Sequence, residues 1–324
     1  MHSDPLRLRS DLLLLLAALI WGFAFVAQRT GVNHIGSMAF TSIRFFIGGL
    51  VLLPIIVAGE RQRRPAGERK RRPAGNAGRR RPLLSERPRL SRRHLAGILV
   101  GVALFAGATL QQLGVARTTA GKGGFITSLY VVIVPLLGLA LGRRAPAATW
   151  AGALLAAVGL YFLTMQGAFR MGLGDFLVLL GAFVWAVHML LLGHFSPGHD
   201  PIKLAFTQFM VCAALSGLAA LLLETTTLAM LRAAAPAILY TGVCSVGIGY
   251  TLQVVGQRHA PPADAAILMS MESVFAVLGG WLLLGEQLTT RALLGCALML
   301  AGILVSQLWP ARTRAAAATL PAEH

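Results

Sequence analysis

LLAALIWGF at residues 15–23 and LLGAFVWAV at residues 179–187 are one phrase written twice, and that repetition decides the fold. Aligning them places Trp21 on Trp185, 164 residues apart. Working outward, AFT at residues 39–41 meets AFT at 205–207 with an offset of 166, and LQQLG at 110–114 meets LQVVG at 252–256 with an offset of 142. Gly152 and Gly159 meet Gly295 and Gly302 at 143. One duplication, with an extra segment inserted in the first copy between residues 41 and 110, accounts for all four offsets.

The copies are apolar throughout. Hydrophobic residues make up 56% of the 324 and charged residues only 13%, against roughly 25% charged in soluble domains. The apolar residues fall in blocks of about twenty, the length that crosses a bilayer core. Blocks ended by charges, Gly or Pro predict ten transmembrane helices near 11–29, 36–58, 95–116, 120–141, 147–164, 173–194, 201–223, 234–257, 262–284 and 288–308. The expected class is an all-α polytopic membrane protein. Its first repeat spans 11–164 and its second 173–308, with 309–324 a disordered cytoplasmic tail. The N-terminal apolar stretch resembles a signal peptide, but its counterpart deep in the chain makes it a retained first helix.

Charge sets the expected orientation. The net charge is +17, and residues 60–94 alone hold fourteen Arg/Lys against Glu60, Glu68 and Glu86. This block, loop 59–94, lies between two spans and is rich in Arg, Pro, Ala and Gly. It reads as a disordered cytoplasmic loop near anionic lipid headgroups rather than a nucleic-acid site. With both termini in the cytoplasm, twenty-two basic residues fall on the cytoplasmic side and six on the other. The bacterial-type cytoplasmic membrane is the expected location.

Five helices per repeat is an odd number, so the second copy crosses the membrane in the opposite sense. Inverted repeats supply two near-equivalent packings, as alternating access requires, with substrate near the midplane between the copies. A secondary active transporter is expected, with a small organic solute as its partner; a second copy of the chain as partner is left open. The rivals are an intramembrane enzyme acting on a lipid-linked substrate, and a channel or scaffold. No HExxH, GxSxG or paired-acid motif supports an enzyme. Gly121-Lys122 lacks the Gly and Ser/Thr of a phosphate loop, since Ala116 and Gly123 stand there. Cys212, Cys244 and Cys296 all lie in apolar spans without disulfide or metal spacing, and no metal or other cofactor is expected.

The stretch from Ala263 to Val305 resembles the closing segment of the EamA-type repeat of the drug/metabolite transporter superfamily. Glu272, Gly279, Gly280, Gly285, Glu286, Gly295 and Gly302 fall on that pattern, with Ser273 where the family usually has Pro. Residues 123–144 resemble the first copy, with Tyr130 in the place of Glu272. WGFAFVAQ at 21–28 and Arg44 in FTSIRFF fit as well. The resemblance covers nearly the whole chain outside the basic loop and tails. It implies a ten-helix exporter or importer of small organic metabolites or drugs, of which export is the direction expected here, and names no ligand.

Polar residues at membrane depth are the site candidates. Glu272 sits near the middle of the ninth span, where an ionised carboxylate is costly. It reads either as a proton-coupling or substrate carboxylate, or as a protonated group bonded to a neighbouring helix. Arg44 lies nine residues into the second span, and its repeat-mate is Met210. It either snorkels or binds carbonyls, or it pairs with Glu272 or an anionic substrate. His188, opposite Ala24, reads as a hydrogen-bonded core residue or a proton relay. Trp21, Trp185, Tyr130, Tyr250, Gln111 and Gln253 suit a cavity lined by both repeats. Lys122 and Asp264, repeat-mates at the starts of the fourth and ninth spans, are candidate gates at opposite membrane faces. The Gly152/Gly159 and Gly295/Gly302 spacings mark close helix packing.

Overall fold

A computed structural model describes residues 5–63, 92–118, 120–143, 145–164, 172–284 and 289–318. Most of the basic loop, Gly285, Glu286 and residues 319–324 lie outside the described residues. The chain forms α1 (Pro5–Gly31), α2 (Ser37–Arg63), α3 (Arg92–Val115), α4 (Ala120–Ser128), α5 (Tyr130–Ala140), α6 (Ala147–Thr164), α7 (Leu173–Phe195) and α8 (Pro201–Leu223). It continues through α9 (Leu228–Leu239), a π-helical segment (Tyr240–Tyr250), α10 (Thr251–Gly256), α11 (Pro262–Met269), α12 (Glu272–Leu284) and α13 (Thr290–Ala318).

Among the described residues, seven helical stretches are long and apolar enough to cross a membrane. Three shorter apolar helices, Ile126–Ala140, Ala147–Phe162 and Thr290–Ser306, take the places of the fourth, fifth and tenth expected spans. Large apolar side chains such as Leu221 and Leu223 stay exposed on the bundle's flanks, as they would against lipid.

Local signals fix the helix ends. Asp200 accepts from Ile202 N (3.1 Å) and Lys203 N (3.4 Å) ahead of Pro201, which starts α8. α5 stops at Gly142, whose φ of +75° needs glycine; Gly142 N donates to Leu139 O and Arg143 N to Gly138 O, each at 2.9 Å.

The two copies are inverted. α2 and α8 are repeat-mates and run antiparallel: Glu224, past the end of α8, accepts from Met38 N and Ala39 N at the start of α2, both at 2.9 Å. At the other end, Lys203 near the start of α8 pairs with Glu60 near the end of α2 at 2.8 Å. α6 and α13 also pack antiparallel. A Cβ built on Gly152 would lie 2.6 Å from Gly302 O, and one on Gly159 would lie 2.6 Å from Gly295 O. The two-fold relation exchanges these two contacts, so the glycine spacings do mark close packing.

Three expected spans are not single helices. The fourth breaks at Leu129 and the ninth at Ser270–Met271, which are repeat-equivalent positions. Leu129 N donates to Ile126 O (3.2 Å) and Met271 N to Leu268 O (3.3 Å), tightening each turn to a three-residue spacing. Ser270 Oγ also donates to Ile267 O at 2.7 Å. The break in the ninth span therefore forms without the family's proline. The eighth span starts earlier than expected, at Leu228, and carries the π segment. Glycines 242, 247 and 249 in that segment admit Ile47, Val51 and Trp21 against its backbone. The region 309–324, expected as a disordered tail, is helical as far as Ala318.

Candidate functional site: a cavity between the repeats

The breaks in the fourth and ninth spans meet at the centre of the bundle. Tyr130 Oη donates to Glu272 Oε1 at 3.0 Å, so two repeat-mates touch across the interface between the copies. Ser128 Oγ donates to the same carboxyl oxygen at 3.3 Å and lies 2.6 Å from Ser273 Oγ. Ser273 Oγ in turn reaches Gly124 O at 3.3 Å. Glu272, Tyr130, Ser128 and Ser273 are all buried. Helix ends here free main-chain groups that continuous helices would consume, and serine hydroxyls donate to carbonyls beside the breaks.

A cavity of about 40 Å³ opens beside this contact, with room for about three waters. Trp21, Phe25, Gln28, Arg44, Gln111, Thr127, Tyr130, Trp185, Met189, Ser245, Tyr250, Gln253, Met269 and Glu272 line it. Eight of the nine substrate or coupling candidates from the sequence are among them. The ninth, His188, lies behind the wall. Its Nε2 is 2.9 Å from Gln208 Oε1, and its ring packs edge-on against Trp185 and Tyr250.

Ten of the fourteen lining residues are repeat pairs: Trp21/Trp185, Phe25/Met189, Gln111/Gln253, Thr127/Met269 and Tyr130/Glu272. The other four, Gln28, Arg44, Ser245 and Tyr250, have the mates Leu192, Met210, Ala103 and Ala108. The repeat-mates also differ in their bonds. Trp185 Nε1 donates to Gln111 Oε1 at 2.8 Å, whereas Trp21 Nε1 donates to Ser245 O on the π segment at 3.1 Å. Gln253 Oε1 is therefore buried without a donor, as is Gln28 Oε1.

Arg44 is 3% exposed, and its guanidinium lies over the rings of Phe40 and Phe45 at 5.6 and 5.2 Å. No described carboxylate is paired with it, and its buried Nε has no acceptor. Arg44 and Glu272 thus share the cavity without forming an ion pair. Tyr250 joins the aromatic wall, 4.6 Å from Trp21 and 5.9 Å from Trp185 between centroids.

Of the two gate candidates, Asp264 is tied at the bundle end that holds Arg7. It accepts from Arg7 Nη2 (2.7 Å), Thr149 Oγ1 (3.2 Å) and Ser306 Oγ (3.5 Å), joining α1, α6, α11 and α13. Lys122 belongs to α4 at the opposite end, and its side chain lies outside the described residues. A larger cleft of about 890 Å³ sits at the Arg7 end among Glu60, His199, Asp200, Lys203 and Arg258. It holds none of the sequence candidates.

Sequence reasoning missed Phe25, Gln28, Thr127, Met189, Ser245 and Met269 in the lining. Helix periodicity held a signal for most of them. Phe25 and Gln28 follow Trp21 by four and seven residues, Met189 follows Trp185 by four, and Thr127 and Met269 precede Tyr130 and Glu272 by three.

The EamA-like transporter family matches residues 8–165 and 172–308, one match per repeat. An uncharacterized transporter of Archaeoglobus fulgidus is 30% identical over 303 residues, covering 93% of this chain and 87% of that protein. An uncharacterized transporter of Bacillus subtilis is 22% identical, covering 89% and 93%. A protein of known crystal structure shares the fold with a TM-score of 0.71 at 20% identity, covering 94% and 98%. Two inverted copies of the family's repeat, meeting at a buried polar cavity, identify the chain as a multi-pass membrane transporter that belongs to the EamA-like transporter family.

Proposed function

We infer that the protein is a secondary active exporter of small organic metabolites or drugs. It resides in the cytoplasmic membrane with both termini in the cytoplasm, and Glu272 couples transport to protons. The observation that carries this reading is the Tyr130–Glu272 bond, made where both broken helices meet between the inverted repeats. Alternating access rocks one repeat against the other around such a point. Glu272 then exchanges hydroxyl donors for a wet passage as the cavity opens to one side. Its proton affinity differs between the two states, and that difference is what coupling requires. The groups bonded to it are the hydroxyls of Tyr130 and Ser128, with Ser273 behind Ser128 and with Arg44 and Tyr250 on the same cavity wall. Lys122 and Asp264 serve as gates at opposite ends in this scheme, and the ties on Asp264 hold the Arg7 end shut.

Comparing extracellular metabolites of overexpressing and deletion strains supplies the solute, and labelled solute in proteoliposomes supplies the assay. Glu272→Gln keeps an acceptor at the same place and cannot titrate. The expected result is normal insertion, loss of proton-driven uphill transport, and retained counterflow. Uphill transport with unchanged pH dependence would remove Glu272 from coupling. A chemically new product in place of moved solute would replace the transporter reading with an enzyme.

A further inference from the structure

A guanidinium enclosed at membrane depth without a counter-ion is costly, because aromatic faces offset only part of its charge. Arg44 is in that condition: 3% exposed, packed against Phe40 and Phe45, and lining the cavity with an unsatisfied Nε. Snorkelling does not relieve it, since the side chain ends inside the bundle. Symmetry does not demand it either, since Met210 occupies the equivalent place. Glu272, the carboxyl in the same cavity, is engaged by Tyr130 and Ser128 instead.

We propose that Arg44 is the substrate's anchor, and that the cavity selects organic monoanions carrying one carboxylate and a flat apolar body. This deepens the transporter reading and rests on it. A planar carboxylate matches the guanidinium fork with two parallel N–H···O bonds. One cation neutralises one charge, and the nearby Glu272 disfavours a second negative charge on the solute. The rings of Trp21, Tyr250 and Trp185 form a continuous wall for the flat body. The unsatisfied Oε1 atoms of Gln28 and Gln253 call for at least one N–H or O–H donor on the same solute. At about 40 Å³ the cavity holds the anchor ready, and a ring-sized solute enters as the repeats part at one end.

The test is equilibrium binding to the purified full-length protein, read from the change in its tryptophan fluorescence, to which Trp21 and Trp185 in the cavity wall contribute. Three probes of one shape differ in charge: 4-hydroxybenzoate, 4-hydroxybenzamide and 4-hydroxybenzylamine. The expected result is saturable binding of the benzoate, with the amide and the amine weaker by at least about tenfold. Arg44→Gln should erase that preference, and Arg44→Lys should keep part of it. If Arg44→Gln does not yield a monodisperse protein, the three probes on the unaltered chain still decide the charge preference. Equal binding of the three, preference for the amine, or no binding of the benzoate overturns the proposal. Benzoate binding in a protein that performs no counterflow would count against transport and leave the anchor standing.

Discussion

Replacing Gly152 by Ala tests the seam between α6 and α13 quantitatively. The new Cβ would lie 2.6 Å from Gly302 O and 2.8 Å from Ser306 Cβ, whereas ordinary contact starts near 3.4 Å. The nearer obstacle is backbone, which cannot swing aside, so the two helices must separate by roughly 0.8 Å. Overpacking of this kind costs about 1–3 kcal/mol, while the Ala offsets up to about 1 kcal/mol through its helix propensity. With the full offset the net loss is up to about 2 kcal/mol, or a fall in Tm of up to roughly 8 °C by the scaling for domains of 150–250 residues. Gly138→Ala is the matched control: it lies within α5 and a Cβ there meets nothing within 4 Å, so only the propensity gain remains. Thermal unfolding of both variants in one detergent gives the comparison. A Tm for Gly152→Ala equal to or above that of Gly138→Ala would refute the close approach of the seam.

Asp264→Asn removes the ion pair with Arg7, which is more than a third exposed, so the loss is about 1 kcal/mol. That shifts the population toward an open Arg7 end by roughly fivefold, seen as faster maleimide labelling of Ala148→Cys in a protein without its native cysteines. Unchanged labelling would show that Asp264 is no gate. Tyr130→Phe removes one of the two donors to Glu272 while leaving the carboxyl able to titrate; transport should slow but keep its pH dependence, and a flat pH profile would assign the coupling to the pair. Reporters fused after residue 75 and at the C-terminus should both report cytoplasm, and an extracytoplasmic signal from either would reverse the orientation argued from basic residues.

The repeats, the helical class and the pairing of Tyr130 with Glu272 as repeat-mates were legible because duplication leaves paired residues at nearly constant offsets; that the two would bond to each other was not. The breaks at Leu129 and Ser270–Met271 were not. In a span that is apolar on every side, periodicity carries no mark of where a helix stops. Their stabilising bonds, Ser128 to Ser273 and to Glu272, reach across about 145 residues of chain. The π segment was hidden for a related reason. Its glycines signal close approach, but only the arrival of Ile47, Val51 and Trp21 shows what approaches. Of the two readings of His188, a hydrogen-bonded core residue or a proton relay, its bond to Gln208 behind the wall fits the first, because a buried imidazole needs a partner.

The mismatch between Arg44 and Met210 has a consequence for how a solute travels. A cavity made of identical halves would accept the same molecule in two poses related by a half-turn, with equal energy. Anything carried through it would arrive with no memory of which end went in first. One guanidinium on one wall removes that degeneracy. A molecule with distinguishable ends then meets the protein in a single orientation, and that orientation stays tied to α2 whichever side of the membrane the cavity faces. Handedness becomes readable too, since a fixed charge, a fixed aromatic plane and a fixed acceptor define three non-equivalent points. Mirror-image solutes cannot satisfy all three alike, so an anchor at Arg44 implies chiral discrimination at a position where the two copies ceased to match.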